Sequence, residues 1–502
     1  MTSEITADLI ELMPEIWLTG TIIATLIVDL IFGHRYKQIV GYVAFAGTLG
    51  AVNALYGTSG QPERVFGVIT ADGFSLFFRM VILSGTALIV LFASVFRDLA
   101  SETRNEFYPM VLGAALGGCF LVSTDHLLML VLGMELLSLC SYILAGWQKT
   151  ERRSSEAALK YLVYGAMSSG LMLFGFSLLY GISGSLWMPE VALAVTEQWD
   201  LGGDGGRAVV VAASVLTFVG LGFKIAAFPF HFWAPDVYEG SPMPVTTMLA
   251  VVSKAAGIGV FVRFVDGVFL DQVVSADWVS RLGGVVAMLA AVTMTYGNVT
   301  AVKQTNVKRL LAYSSIAHAG FLVMGIAVML CGDGRAYAGA GMATTLFYLG
   351  TYYFGTLGAF GCAMAIANRF GAEELDDYVG LGWSTPWIGG AFVLFLASLT
   401  GLPPTVGFAG KLVVFRAALD SGLGWLALVG ALNALVSLFY YFKIARALFL
   451  RGGTEVVPGI ASRGVLATLA HAAVFLLAAG TLWCGVGPGL DALMTWVGRS
   501  LL

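Results

Sequence analysis

The sequence predicts an all-α membrane protein with about fourteen transmembrane helices. Three observations lead there. Only 12% of the 502 residues are charged while 58% are hydrophobic, with a mean hydropathy of +0.85. Soluble domains carry roughly 25% charged residues, so half that density cannot coat several water-facing domains, whereas a lipid-facing surface needs no charge. Apolar runs of the roughly 20 residues that cross a bilayer recur along the chain. Lysine and arginine are distributed unevenly among the intervening loops, as the positive-inside rule requires. Disorder is excluded by the apolar content. A net charge of −4 and a pI near 5.8 without any basic run argue against nucleic acid as a partner.

The elements follow in order. The N-terminus, MTSEITADLIELMPEIW, is acidic and lacks the basic n-region of a signal peptide. Spans are expected at 9–31, 36–56, 74–97, 107–123, 125–147, 157–181, 207–232, 242–265, 281–301, 307–330, 341–367, 386–417, 424–449 and 464–485. The fourth and fifth are separated by almost nothing (123–125), which demands a tight helical hairpin. LWMPEVALAVTEQWD, between the sixth and seventh, mixes apolar residues with Glu190, Glu197 and Asp200 and reads as a short interfacial helix. With the loop holding Arg35 and Lys37 in the cytoplasm and sides alternating, cytoplasmic loops carry fifteen basic residues against seven outside, and both termini lie outside. The loop 234–241 has no basic residue and is uninformative.

Cysteine and histidine exclude several chemistries. Cys119, Cys140, Cys331, Cys362 and Cys484 form no CxxC, lie in apolar stretches and read as small apolar fillers rather than disulfides, zinc ligands or cluster ligands. His34, His126, His231, His318 and His471 form no ligand pair. No GxGxxG follows a strand and no Walker motif occurs, so no cofactor or metal site is expected in this chain.

Four charges stand out because they lie near mid-span: Glu135 in LLMLVLGMELLSLCSYIL, Lys224 in VLTFVGLGFKIAAFPF, Lys254 in TTMLAVVSKAAGIGVF, and Lys411. A charge there costs about 2.5–3.5 kcal/mol on insertion scales, and none of the four is placed to snorkel to a surface. Static ion pairing is the plain explanation, but one carboxylate cannot neutralise three lysines. A buried ammonium tends to lose its proton, and a carboxylate beside it restores it. One acid and three lysines along a path therefore suit proton transfer. Lys160, a turn or two into the sixth span, is placed to snorkel, as is Arg79 near the outer end of the third. Asp29 reads as a loop-proximal charge beside His34 and Arg35. His231 and His318 can carry protons or serve in packing.

Two of the four charges stand beside helix breakers. Lys224 precedes Pro229 in GFKIAAFPFHFWAPD, and Lys411 follows Pro403 and Pro404 in LTGLPPTVGFAGKL. Proline removes a donor and clashes with the preceding turn. Inside lipid the freed carbonyls must find water or protein, so a small hydrated cavity is expected at each break. Transporters place such breaks at corresponding positions of two repeats. Glu135 precedes Lys224 by about the separation of His318 from Lys411, which matches helices 4–8 to 9–13. The prolines follow the lysine in one copy and precede it in the other, which inversion does not explain.

GMELLSLCSYIL, EAALKYLVYGAMSSGLMLFG, GLGFKIAAFPFHFWAPDVYEGSPMPVT, VKRLLAYSSIAHAGF and LPPTVGFAGK together resemble the antiporter-like subunit N family of respiratory complex I, NADH–quinone oxidoreductase. The resemblance covers helices 4–13. HFWAPDVYEGSPMPV and lysine at 411 resemble subunit N rather than the sister subunits L and M, and the chain ends after helix 14 without a lateral helix. The resemblance implies helices 1–3 in 1–106, two inverted five-helix repeats in 107–265 and 281–449 with helices 7 and 12 discontinuous, and helix 14 in 464–502. It implies that Glu135 pairs with Lys224, that Lys254 and Lys411 continue the relay, and that Lys160, His231 and His318 are accessory. It implies NADH, FMN, iron–sulfur clusters and quinone on other subunits, a bilayer location in the cell inner membrane, and neighbouring antiporter-like and small membrane subunits as partners. A cation/proton antiporter subunit, the equivalent subunit of a ferredoxin-linked or photosynthetic dehydrogenase, and an assembly scaffold are the alternatives.

Overall fold

The computed structural model describes residues 2–32, 37–58, 63–96, 99, 104–270, 276–331, 335–450 and 465–501. His34 lies outside the described residues, as do Arg35, Arg97, Arg451 and Arg463, four of the fifteen basic residues counted above in cytoplasmic loops.

Thirteen helices among the described residues are long and apolar enough to cross a membrane: Met13–Phe32, Gln38–Gly57, Gly73–Val95, Asn105–Val122, Leu127–Ala145, Arg152–Ser183, Gly203–Ile225, Met243–Leu270, Trp278–Ala301, Val307–Cys331, Tyr337–Phe370, Gly424–Phe449 and Val465–Trp483. The fourteenth expected crossing, number twelve in chain order, is split into Pro386–Thr400 and Val406–Asp420. Each half has 15 residues, too few to span alone. The seventh crossing is also interrupted: Gly203–Ile225 ends in an irregular stretch and resumes as the short helix Trp233–Gly240. Below, spans are numbered one to fourteen in this order.

Packing follows lipid rules. Span eight (Met243–Leu270) and span ten (Val307–Cys331) are buried on nearly all sides, while spans one, six and fourteen keep outward apolar faces. With no hydrophobic gain between helices in lipid, small residues set the closest contacts. In the hairpin of spans four and five, a Cβ on Gly117 would lie 2.5 Å from the Leu137 nitrogen and one on Gly133 2.8 Å from the Leu121 nitrogen, so the two backbones touch there. The expected tight turn at 123–125 is thereby explained. The segment read as an interfacial helix forms Met188–Asp200, burying Met188, Val191, Ala192 and Val195 on one face.

Among the described residues, the following contacts between span ends and loops join segments that alternation places on the same side. On one side Arg263 pairs with Asp72, Trp199 stacks on Trp278 at 4.3 Å, and Tyr337 donates to the Asp420 carbonyl at 3.1 Å. On the other, Arg153 and Arg309 both pair with Glu239, Lys308 pairs with Glu373, and Lys443 donates to the Val302 carbonyl.

Several features depart from expectation. The first apolar run is divided into Thr2–Glu11 and Met13–Phe32. A two-stranded hairpin, Glu63–Val65 with Ile69–Ala71, precedes span three. A separate amphipathic helix, Gly487–Arg499, follows span fourteen. Arg79 does not snorkel. Its side chain is 1% exposed, bonds the Glu11 carbonyl at 3.0 Å, and approaches Glu15 at 3.4 Å. The helix bearing Glu15 packs where the arginine would otherwise reach outward. Asp29 accepts from the buried Asn105 amide at 2.6 Å.

Candidate functional site

The site begins on span five (Leu127–Ala145), where Glu135 and Ser138 share a face at i, i+3 spacing. Lys224, 2% exposed, lies in the last turn of Gly203–Ile225 and donates to Ser138 Oγ at 3.0 Å. It makes no ion pair within 4.0 Å with Glu135, whose Oε1 is buried without a hydrogen-bond partner. The direct Glu135–Lys224 pair implied by resemblance is therefore not formed in this structure, because the ammonium is engaged by a hydroxyl one turn along the helix. Glu135 itself is half-buried, on the outward stripe of Leu132 and Leu139.

The break after Ile225 is satisfied by protein groups. Ala226 takes a left-handed conformation with φ 57°. Trp233 Nε1 donates to the Phe223 carbonyl at 3.0 Å, and the Phe228 N–H donates to Thr293 Oγ1 at 3.1 Å. Trp233 also stacks on Tyr161 of span six at 4.3 Å. A Cβ on Gly257 would meet Lys224 Cγ at 3.0 Å, so the lysine stem lies against span eight one turn beyond Lys254.

Lys254, 2% exposed, directly follows a π-helical stretch, Leu249–Ser253. Such stretches are common at functional positions. Its ammonium donates to the Ser315 carbonyl and Ser315 Oγ on span ten. Ser315 Oγ also bonds Tyr352 Oη at 2.9 Å, which in turn donates to the Ala250 carbonyl of the π stretch at 3.0 Å. On the same helix, His318 Nδ1 bonds Tyr348 Oη at 2.7 Å and Nε2 bonds Tyr441 Oη at 3.3 Å, with Ser314 also bonded to Tyr441. The Tyr352 ring lies beside both Lys254 and His318, and the Phe321 ring beside both His318 and Lys411. Lys254, His318 and Lys411 thus form one row with aromatic rings between them.

Lys411, 4% exposed, donates to the carbonyls of Leu399 at 3.0 Å and Thr400 at 2.7 Å. These are the last carbonyls of the half-helix Pro386–Thr400, the negative end of its dipole. Gly401, at φ +88°, turns the chain there, and a Cβ on it would sit 2.8 Å from Lys411 Cδ. The order of proline and lysine that inversion left unexplained now has a common term. Lys224 belongs to the first half-helix and Lys411 to the second, yet both lie at the C-terminal end of the first half-helix. Discontinuous helices hold cations at such ends.

The remaining expected residues lie off this row. His231, 1% exposed, is boxed by Phe228, Phe232 and Tyr296, and neither ring nitrogen has a hydrogen-bond partner. Lys160 is 37% exposed and bonds Asp236 at 2.5 Å and Glu156 at 2.7 Å, within a charged cluster at one end of the bundle. Sequence reasoning did not single out Ser138, Ser314, Ser315, Tyr348, Tyr352, Tyr441 or Asp236. The signals were present: Ser138 is one turn from Glu135, and YSSIAH places Ser314 and Ser315 one turn before His318. Among the described residues no group of three or more His, Cys, Asp or Glu side chains is arranged to hold a metal ion.

Fourteen crossings, two of them broken beside buried lysines, define a polytopic helical protein of the antiporter-like type. The comparisons sharpen this. Residues 124–437 match the model of the family described as NADH:quinone oxidoreductase/Mrp antiporter, TM. NADH-quinone oxidoreductase subunit N of Chlorobium chlorochromatii is 43% identical over 451 residues, covering 88% of this chain and 85% of that protein. NAD(P)H-quinone oxidoreductase subunit 2 of Microcystis aeruginosa is 40% identical, covering 90% and 86%. A chain of respiratory complex I from Thermus thermophilus, determined with bound aureothin, superposes with a TM-score of 0.76 at 32% identity, covering 95% of this chain and 98% of that one. A chain of the Mrp complex from Dietzia shares the fold, with a TM-score of 0.78 at 21% identity over 100% and 97% of the two chains. The chain belongs to the NADH:quinone oxidoreductase/Mrp antiporter family and, within it, to the antiporter-like subunit N of complex I.

Proposed function

We propose that this chain translocates protons as a membrane subunit of an NADH–quinone oxidoreductase in the cell inner membrane, through a relay of Glu135, Lys224, Lys254 and Lys411. The observation that carries the reading is that both broken helices present a C-terminal end to a buried lysine, with Lys254, Ser315, Tyr352 and His318 between them. Moving Glu135 away from Lys224 removes the charge that holds the lysine's proton, which then passes towards Lys254 and Lys411 and leaves on the outer side. NADH, FMN, iron–sulfur clusters and quinone belong to other subunits, whose redox chemistry drives the cycle. Lys160, His231 and His318 are accessory. The repeats are 107–265 and 281–449, flanked by 1–106 and 464–502, and both termini face outwards. Neighbouring antiporter-like and small membrane subunits cover outward faces such as the Leu132–Glu135–Leu139 stripe, since a half-buried carboxylate at mid-span is costly against lipid.

The test replaces Lys224, Lys254 and Lys411 singly by alanine in the assembled complex. Pumping coupled to NADH oxidation should fall on the order of a hundredfold or more, the scale of a lost proton-transfer group, with the complex still assembled. Normal pumping in Lys224→Ala rejects the relay. Parallel loss of abundance and activity favours a scaffold. Sodium/proton exchange in vesicles without NADH favours an antiporter. The Microcystis relative makes NAD(P)H-linked complexes the second reading, decided by which soluble subunits copurify.

A further inference from the structure

The short helix Trp233–Gly240 carries the clearest unassigned feature. Its Asp236 accepts from Lys160 of span six at 2.5 Å and from Arg309 of span ten at 2.6 Å. Arg309 also bonds Glu239 at 2.9 Å. One carboxylate on an eight-residue helix therefore ties together two long spans that are otherwise separate in sequence. This helix follows the irregular stretch after Ile225, so no continuous helical backbone holds it in place.

Two residues beyond Asp236, on the opposite face of the helix, Tyr238 points inwards. Its side chain is 1% exposed, and its hydroxyl lies 3.4 Å from Ser315 Oγ, the hydroxyl that Lys254 also bonds. A turn or lift of the short helix would carry Tyr238 away from Ser315. Trp233 anchors the beginning of the helix on Tyr161, Thr246 Oγ1 donates to the Tyr238 carbonyl at 3.0 Å on the buried face, and the charged cluster holds the outer face at Asp236 and Glu239.

We propose that Asp236 is a positioning residue: by bonding Lys160 and Arg309 together, it holds the helix 233–240 so that Tyr238 stays within reach of Ser315 and Lys254. The functional half of this inference rests on the relay reading. The clamp itself does not. Asp236 touches none of the relay lysines and acts through Tyr238. Its carboxylate, rather than any hydrogen-bonding group, is required, because it accepts from two cations at once.

The experiment uses the purified whole complex with Asp236→Asn, Asp236→Glu and Arg309→Gln. Amide hydrogen exchange is followed over 226–248, together with protons pumped per NADH oxidised. The expected result is severalfold faster exchange in 233–240 for Asp236→Asn and Arg309→Gln, a lower pumping ratio, and recovery of both towards the parent values in Asp236→Glu. Should Asp236→Asn fail to assemble, Arg309→Gln carries the test, since it opens the contact with span ten and leaves Lys160 on Asp236. Unchanged exchange in Arg309→Gln overturns the clamp, whatever the pumping does. Faster exchange with an unchanged pumping ratio, in a complex where Lys224→Ala abolishes pumping, overturns the positioning role and leaves the relay standing. Normal pumping in both Lys224→Ala and Lys254→Ala sinks the relay instead, and exchange alone then decides the clamp.

Discussion

At the scale of single residues, the pair that best separates charge from capping is Asp72 with Arg263. Asp72 caps the helix Gly73–Val95 by accepting from the Ser75 N–H at 2.7 Å, and its two oxygens accept from Arg263 Nη2 at 2.8 Å and Nη1 at 2.9 Å. Burial pushes its carboxyl up, but Arg263 outweighs that and holds it below the usual carboxylate range. A lowered folded value means the contribution is complete above the unfolded carboxylate pKa of about 3.9 and is lost as pH falls through the folded value. Asp72→Ala removes a cap worth about 1 kcal/mol and leaves a largely buried arginine unpaired, so a total near 3 kcal/mol is expected. Asp72→Asn keeps an oxygen for the cap and should lose less. Thermal inactivation of the complex checks both: equal stability of the two variants would remove the cap from the account, and an Asp72→Asn variant as stable as the parent would remove the ion pair. A second residue test concerns Gly257, where a Cβ would meet Ile225 Cγ2 at 2.9 Å and Lys224 Cγ at 3.0 Å. Gly257→Val should displace the lysine stem and lower pumping while sparing abundance more than a core truncation does. Wild-type pumping in that variant would show that the Lys224 position tolerates movement.

At the scale of elements, the breaks were legible and their internal arrangement was not. Pro229, Pro403 and Pro404 announce that the seventh and twelfth crossings cannot run straight, and the apolar runs place the other spans to within a few residues. Which groups take the freed carbonyls is a tertiary matter. Trp233 reaches back to Phe223, and Lys411 reaches back to Leu399 and Thr400, and neither contact has a local sequence signature. Arg79 was misread for the same reason, since its partners Glu11 and Glu15 come from two helices more than sixty positions away. The serines and tyrosines of the row were overlooked because they are unremarkable in a membrane helix until a neighbouring span supplies Lys254 or His318. The seventh break contains a residue that bears its conformation at a cost. Ala226 has φ 57° and ψ 42°, a left-handed geometry costing about 1–2 kcal/mol for an L-residue other than glycine. Ala226→Gly should recover about 1 kcal/mol of that and raise thermal resistance slightly, unless glycine's greater freedom in the unfolded chain offsets it. Heating purified complex and following its loss of assembly measures the sign. A clear fall in resistance would mean that the alanine methyl packs usefully at the break.

At the scale of the whole molecule, relative sidedness and absolute orientation are separate problems. Relative sidedness is well constrained, because among the described residues the ion pairs and stacked rings between span ends join segments that alternate topology puts together. The same fact explains why the uninformative loop 234–241 can be placed: it carries no basic residue, but Asp236 and Glu239 receive Lys160, Arg153 and Arg309 from its neighbours. Absolute orientation rests on the excess of basic residues on that side, which the positive-inside rule assigns to the cytoplasm. The chain suits a labelling test, since Cys119, Cys140, Cys362 and Cys484 are buried and Cys331 is only partly accessible, so background reaction should be low. Lys149, in the loop after span five, and Asp204, in the first turn of span seven, are exposed and lie on opposite sides by alternation. In intact cells an impermeant maleimide should modify Asp204→Cys and spare Lys149→Cys, and inverted vesicles should reverse the pattern. Labelling of Lys149→Cys from outside would turn the molecule over. The charged cluster at Asp236 would then face outwards, and in the proposed Lys224–Lys254–Lys411 relay the end at which protons enter would have to be exchanged with the end at which they leave.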